Sequence, residues 1–159
     1  MNIIFMGTPE FAVECLDNLV KSNHNIIAVI TSEDKPAGRG QKIKISEIKK
    51  YSIKNKLEIL QPRNLKDSGF LNKIKFLKPD IFVVVAFRML PKILWEIPKK
   101  GTINLHASLL PNLRGAAPIH WAIINGLKET GVSTFYINEN IDCGEIIEQK
   151  KVSILENEN

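Results

Sequence analysis

Within DIFVVVA (80–86) the residues from Ile81 to Ala86 are apolar at consecutive positions. Successive side chains of an extended strand point to opposite faces, so this strand has to be covered on both sides. A parallel sheet with helices on both faces meets that demand, and an antiparallel sheet with one wet face does not. The neighbouring segments agree. NIIFMG (2–7) is a second buried-strand run closed by Gly, and NIIAVIT (25–31) is a third. Between them Pro9 opens a stretch in which Phe11, Cys15, Leu16, Leu19 and Val20 fall on one helical stripe. Strand, helix and strand at this spacing predict a right-handed βαβ unit.

The alternation continues. A helix is expected over 46–55 with Ser46 as its N-cap, a short strand at LEIL (57–60), and a helix over 65–77 ended by Pro79. After the 80–86 strand come a short helix at 91–98, a strand at TINLHAS (102–108) and a helix over 116–126 closed by Gly126. VSTFYIN and EIIEQKKVSI read as an antiparallel edge, and SEDKPAGRGQK (32–42) as a loop. The predicted fold is α/β: a doubly wound, mostly parallel Rossmann-like sheet with helices on both faces. Such a sheet places its ligands at the carboxyl ends of the strands.

Charge narrows the partners. From Thr31 to Lys56 there are eight basic and three acidic residues, which accounts for the whole net charge of +5. A basic surplus gathered in one segment suits a polyanion, although Lys49 to Lys56 reads as the solvated face of a helix. No apolar run reaches the roughly 18 residues of a membrane span, and MNIIFMGTPEF lacks the features of a secretory signal, so a cytoplasmic protein is expected. Cys15 and Cys143 lack metal-ligand spacing and are expected to be free thiols, Cys15 serving to pack a helix. His24, His106 and His120 likewise show no ligand spacing, and no metal is expected.

The chemistry-bearing stretch is INLHASLLPNLRGAAPIHW (103–121). Asn104 and His106 lie two apart, so on a strand they share a face. Taken singly, either reads as a buried structural residue. With Asp142 of IDCGE they supply an amide donor, an imidazole and a carboxylate, a set that suits acyl transfer to an amine. No Ser or Cys is placed as a nucleophile, which favours direct attack by a substrate amine. GTPEF (7–11) carries one glycine where a dinucleotide fingerprint needs three, and DKPAGRGQK (34–42) lacks the phosphate-loop spacing. As a mobile basic loop the latter suits contact with a phosphate backbone.

FMGTPEFAVECL, DKPAGRGQK, VVVAFRMLP, INLHASLLPNLRGAAPIHWAI and IDCGEII together resemble the N-terminal part of the methionyl-tRNA formyltransferase family. That family belongs to a wider group that uses 10-formyltetrahydrofolate, and the resemblance runs over essentially the whole chain. It implies the formyltransferase fold and a catalytic set of Asn104, His106 and Asp142. Asn104 and His106 would hold the oxyanion, while Asp142 would orient His106 and relay protons. Phe87, Arg88, Met89 and Leu90, with the turn Ser108, Leu109, Leu110 and Pro111, would line the folate pocket. Where the family has AYG after its VVVA strand this chain has AFR; the pterin contacts expected there are largely backbone. Lys35, Arg39 and Lys42 would contact the acceptor end of initiator tRNA. The implied co-substrate is 10-formyltetrahydrofolate, the implied partner methionyl initiator tRNA, and no obligate protein partner is evident. The family chain is about twice as long, so residues 1–159 are expected to be a catalytic domain incomplete at its C-terminus, without the C-terminal β-barrel domain that grips tRNA. Rival readings are a formyltransferase of a small amine (glycinamide ribonucleotide or an amino-sugar nucleotide), a hydrolase of 10-formyltetrahydrofolate, and a non-catalytic folate-binding remnant. The basic GRG loop, not expected in the small-amine members, favours the tRNA reading.

Overall fold

A computed structural model describes residues 1–37 and 42–155. It divides into two units, Met1–Thr102 and Ile103–Asn159. In the first, β1 (Asn2–Gly7), α1 (Glu10–Lys21) and β2 (Asn25–Ile30) form the expected unit, with β1 and β2 parallel and Phe5 opposite Val29. A hairpin follows, β3 (Lys35–Ala37) against β4 (Lys42–Lys44). Then come α2 (Glu47–Lys54), β5 (Ile59–Leu60), α3 (Ser68–Phe76), β6 (Ile81–Val85) and α4 (Lys92–Trp95). Apart from the antiparallel hairpin, the strands of this unit lie in the order β5-β2-β1-β6 and pair in parallel.

The core sits on these strands. Ile3, Ile4, Phe5, Met6, Val29, Ile30, Phe82 and Val85 are buried, and Ala12 and Leu16 of α1 close over them. Gly7 ends β1 because a Cβ there would meet the Phe5 ring and the Ala12 methyl at under 3.0 Å. Phe82, fully buried in β6, is expected to cost about 3–5 kcal/mol when replaced by alanine, read as a lower urea midpoint at unchanged m-value.

Several expected boundaries change, β5 covering two residues of the expected 57–60 and α4 four of the expected 91–98. The 65–77 helix starts at Ser68, because the Asp67 carboxylate caps it by accepting the Phe70 N–H at 2.8 Å; Leu65 is buried ahead of it in a turn. The 32–42 loop carries β3 and the start of β4, a hairpin of two three-residue strands in which Pro36 argues against a strand in advance. The Ser46 cap is as expected: its hydroxyl accepts the Lys49 N–H at 3.0 Å and bonds Thr31 Oγ1 at 2.8 Å.

α1 and α2 are joined by Tyr51, whose hydroxyl donates to Asp17 Oδ1 at 2.9 Å. Partial burial, then the bond to Asp17, push its pKa up to about 12. Hydrogen bonds from Lys21 first and Tyr51 second hold Asp17 below the usual carboxylate range. The fold therefore favours the neutral phenol over the unfolded chain, where its pKa is about 10. That stabilisation is whole below pH about 10 and is lost as pH rises through about 12. Tyr51→Phe is expected to flatten the loss of stability across that window, followed by denaturation midpoints at stepped pH.

The second unit contains β7 (Thr102–His106) from Ile103 on, α5 (Pro118–Ile124), β8 (Glu129–Tyr136) and β9 (Ile146–Ser153). β7 pairs antiparallel with β8, and β8 with β9, which is the antiparallel edge the sequence predicts. β8 begins three residues earlier than VSTFYIN, since Glu129, Thr130 and Gly131 keep pairing with Ser153, Val152 and Lys151. The parallel strands of the first unit and this edge agree with the predicted mostly parallel α/β class. No helix among the described residues is long and apolar enough to cross a membrane.

Candidate active site

Asn104 and His106 share one face of β7, opposite Phe135 and Ser133 of β8. His106 is buried and Asn104 half-buried. Past His106 the chain leaves the strand in a turn held by hydrogen bonds. Ser108 Oγ donates to the Asn112 carbonyl at 2.6 Å, and the Asn112 N–H to the Leu109 carbonyl at 3.0 Å. Ser133, fully buried on β8, donates to the Ser108 carbonyl at 2.6 Å and accepts the Leu110 N–H at 3.0 Å. Gln149 of β9 donates to Ser133 Oγ at 2.8 Å and to the Leu110 carbonyl at 2.9 Å. The buried Ser108 and Ser133 hydroxyls both have partners, which is what a buried network needs in order to fix geometry.

Asp142 enters from the β8–β9 turn. Its Oδ2 lies 3.7 Å from His106 Nδ1, and the two side chains are 14% and 8% exposed. The same oxygen accepts the Gly115 N–H at 2.8 Å. His106 Nε2 is 2.8 Å from the Leu113 carbonyl oxygen. The resemblance assigns the orientation of the ring to Asp142; the hydrogen bond present is the one to Leu113, since 3.7 Å is too long for another. Leu113, Ala117 and Asp142 all have left-handed φ, at 53°, 53° and 48°. Such residues persist only where the surroundings hold them, and they gather at functional sites. No hydrogen bond to the Asn104 side chain is present among the described residues, so its amide is available to a ligand.

The structure thus brings Asn104 and His106 to one strand face and sets Asp142 beside His106. Ser108, Leu109, Leu110 and Pro111 form the clamped turn that follows. Phe87, Arg88, Met89 and Leu90 follow β6 in the first unit, where Arg88, Met89 and Leu90, but not Phe87, border a cleft of about 880 Å³ that Arg63, Lys66 and Ile93 also line. Arg88 lies over the Phe87 ring and donates to the Arg63 carbonyl at 2.9 Å and to the Pro62 carbonyl. The substituted arginine therefore ties the β6–α4 segment to the segment before α3. Lys35 is exposed on β3; Arg39 lies outside the described residues, as does the side chain of Lys42. Lys49 and Lys50 are ion-paired with Asp34 and Glu47, which fits the solvated-face reading of that helix. Cys15 is half-buried on α1 and burial pushes its thiol pKa up, as a packing residue requires; Cys143 is exposed, and both are free thiols.

Sequence reasoning did not find Leu113, Gly115, Ser133 or Gln149. Leu113 and Gly115 act through backbone atoms, which no residue type announces. Ser133 was signalled only weakly, as a polar residue on the buried face of a strand with burial alternating at Gly131, Ser133 and Phe135.

A family model described as formyl transferase matches residues 1–159. The chain is 58% identical over 159 residues to the methionyl-tRNA formyltransferase of Flavobacterium johnsoniae, covering 100% of this chain and 50% of that protein. It is 52% identical over 159 residues to that of Bacteroides fragilis, covering 49% of the relative. The chain therefore spans about half the length of the curated relatives it matches. Among solved structures it is similar to the phosphoribosylglycinamide formyltransferase of Anaplasma phagocytophilum, with a TM-score of 0.79 at 19% identity over 100% of this chain and 75% of that one. It is also similar to the formyltetrahydrofolate deformylase of Pseudomonas syringae pv. tomato, with a TM-score of 0.76 at 23% identity over 99% of this chain and 53% of that one. These two likenesses bear on the fold alone.

Proposed function

The chain belongs to the formyl transferase family, and from that premise we propose that it is the catalytic part of a cytoplasmic enzyme that formylates methionyl initiator tRNA for translation initiation. The formyl donor is 10-formyltetrahydrofolate. The observation that carries the reading is the pairing of His106 with Asp142 at 3.7 Å on a unit that also presents the unengaged amide of Asn104.

The methionyl α-amine attacks the formyl carbon and forms a new C–N bond while the carbonyl oxygen takes the negative charge. Asn104 Nδ2 and the His106 ring stabilise that oxyanion. The amine loses a proton, the N10–carbon bond breaks, and N10 takes up a proton; Asp142 relays it through water. The low exposure of His106 and Asp142 keeps the local dielectric low, where such charge interactions are strongest. Ser108 Oγ is committed to the Asn112 carbonyl and Cys143 Sγ to the Ile141 carbonyl, which favours direct transfer without a covalent acyl-enzyme.

The cleft bordered by Arg88 to Leu90 offers apolar Met89, Leu90 and Ile93 with a rim of Arg63, Lys66 and Arg88, which suits a heteroaromatic ring carrying carboxylates. Lys35, Arg39 and Lys42 supply the phosphate contacts to the tRNA acceptor end. The basic surplus of residues 31–56 favours this acceptor over a small amine such as glycinamide ribonucleotide.

The test is formylation of methionyl initiator tRNA by this chain with 10-formyltetrahydrofolate, beside Asp142→Ala and beside glycinamide ribonucleotide as rival acceptor. Turnover on tRNA that disappears in the variant is expected. Equal turnover in the variant would remove Asp142 from the site, and turnover on the ribonucleotide alone would overturn the acceptor.

A further inference from the structure

We propose that Leu113 is a positioning residue for the reaction: its backbone carbonyl holds the proton of His106 on Nε2 and so leaves Nδ1 as the ring atom that exchanges protons beside Asp142. The consequence for catalysis rests on the formyl-transfer reading of the site; the tautomer itself does not.

A carbonyl oxygen has lone pairs and no proton, so at 2.8 Å from Leu113 O the Nε2 atom has to be the donor. In the neutral ring Nδ1 then carries the lone pair. That lone pair lies on the side of Asp142 Oδ2, at 3.7 Å. A Ser-His-Asp triad works the other way round, with the carboxylate holding Nδ1–H and Nε2 performing the proton transfer. Here Nε2 is occupied by a group that cannot titrate. The ring accepts a proton at Nδ1, and it donates to an oxyanion only from Nδ1 and only once protonated there.

The loop that supplies this carbonyl is built to keep it in place. Leu113 has φ 53°, a conformation that a residue with a branched side chain adopts only when held. On its N-terminal side Ser108 Oγ fixes the Asn112 carbonyl at 2.6 Å, and Ser133 and Gln149 fix the turn that carries Ser108. On its C-terminal side Gly115, φ 89°, gives its N–H to Asp142 Oδ2 at 2.8 Å. One short loop therefore grips both members of the pair, the imidazole through a carbonyl and the carboxylate through an amide. Ser108 has a role here apart from any wall of a folate pocket.

The experiment is a long-range proton–nitrogen correlation spectrum of the chain with ring-¹⁵N histidine, at a pH where the rings are neutral. His106 is expected to show a protonated-type Nε2 and an unprotonated-type Nδ1, with an Nε2–H that exchanges slowly. His24 and His120, both exposed, serve as references with averaged shifts. Ser108→Ala is expected to bring the two His106 shifts together and to speed exchange of the Nε2–H while the circular dichroism stays unchanged. Averaged shifts or a protonated Nδ1 in the unaltered chain would overturn the proposal, and unchanged shifts in the variant would remove the turn from it. A locked Nε2–H tautomer in a chain that transfers no formyl group would leave this inference standing and count against the function instead.

Discussion

Replacing His106 with alanine is expected to lower the rate of the proposed formyl transfer at least about 100-fold, with the circular dichroism spectrum unchanged. The size follows from the role proposed for the ring, stabilising a developing oxyanion: removing a donor of that kind costs about 10²–10³ in rate. The fold tolerates the change, because the ring's hydrogen bond is to the Leu113 carbonyl, which water can satisfy once the side chain is gone. The measurement is single-turnover formylation of methionyl initiator tRNA at saturating 10-formyltetrahydrofolate, with folate binding followed separately. A rate within a few-fold of the unaltered chain would place the oxyanion elsewhere.

Gly144→Ala has the second large effect, and it works through backbone. A Cβ at position 144 would fall on the carbonyl oxygen of Tyr136 and press on the Phe135 ring. The Tyr136 N–H is bonded to the Glu145 carbonyl at 2.9 Å, so the two chain segments are locked together at this point and neither side can yield freely. The expected cost is about 1–3 kcal/mol of stability. The turn that carries Asp142 at φ 48° moves with it, so the rate falls at least as far as in Asp142→Ala. Thermal unfolding and formylation together check this. An alanine variant of normal activity would mean that the Asp142 turn adjusts independently of Gly144. Since Asp142 touches both His106 and the loop at Gly115, its displacement also separates the pair, which the ring ¹⁵N spectrum of His106 reads directly.

Much of the architecture is legible residue by residue. Ile81 to Val85 can only be a strand covered on two sides, and Ser46 marks the start of α2 because its hydroxyl satisfies an otherwise unpaired N–H. The β3–β4 hairpin is not legible, because Lys-Pro-Ala and Lys-Ile-Lys have no strand pattern of their own and pair only with each other. Nor is the start of α3, where Asp67 competes with the apolar period that begins at Leu65.

The site divides in the same way. Asn104, His106 and Asp142 are visible as residue types at telling spacings, and so is the turn from Ser108 to Pro111, because amide, imidazole, carboxylate and proline are chemical identities written in the chain. The chain itself determined the α/β class, the family and the groups available for acyl transfer. Only the tertiary structure decided that Nε2 of His106 is held by Leu113, that Gly115 holds Asp142, and that Arg88 reaches the Pro62 and Arg63 carbonyls. The physical reason is that these partners are backbone groups. Every residue but proline carries the same N–H and C=O, so their roles come from dihedral angles and proximity in the folded chain and not from the residue's name.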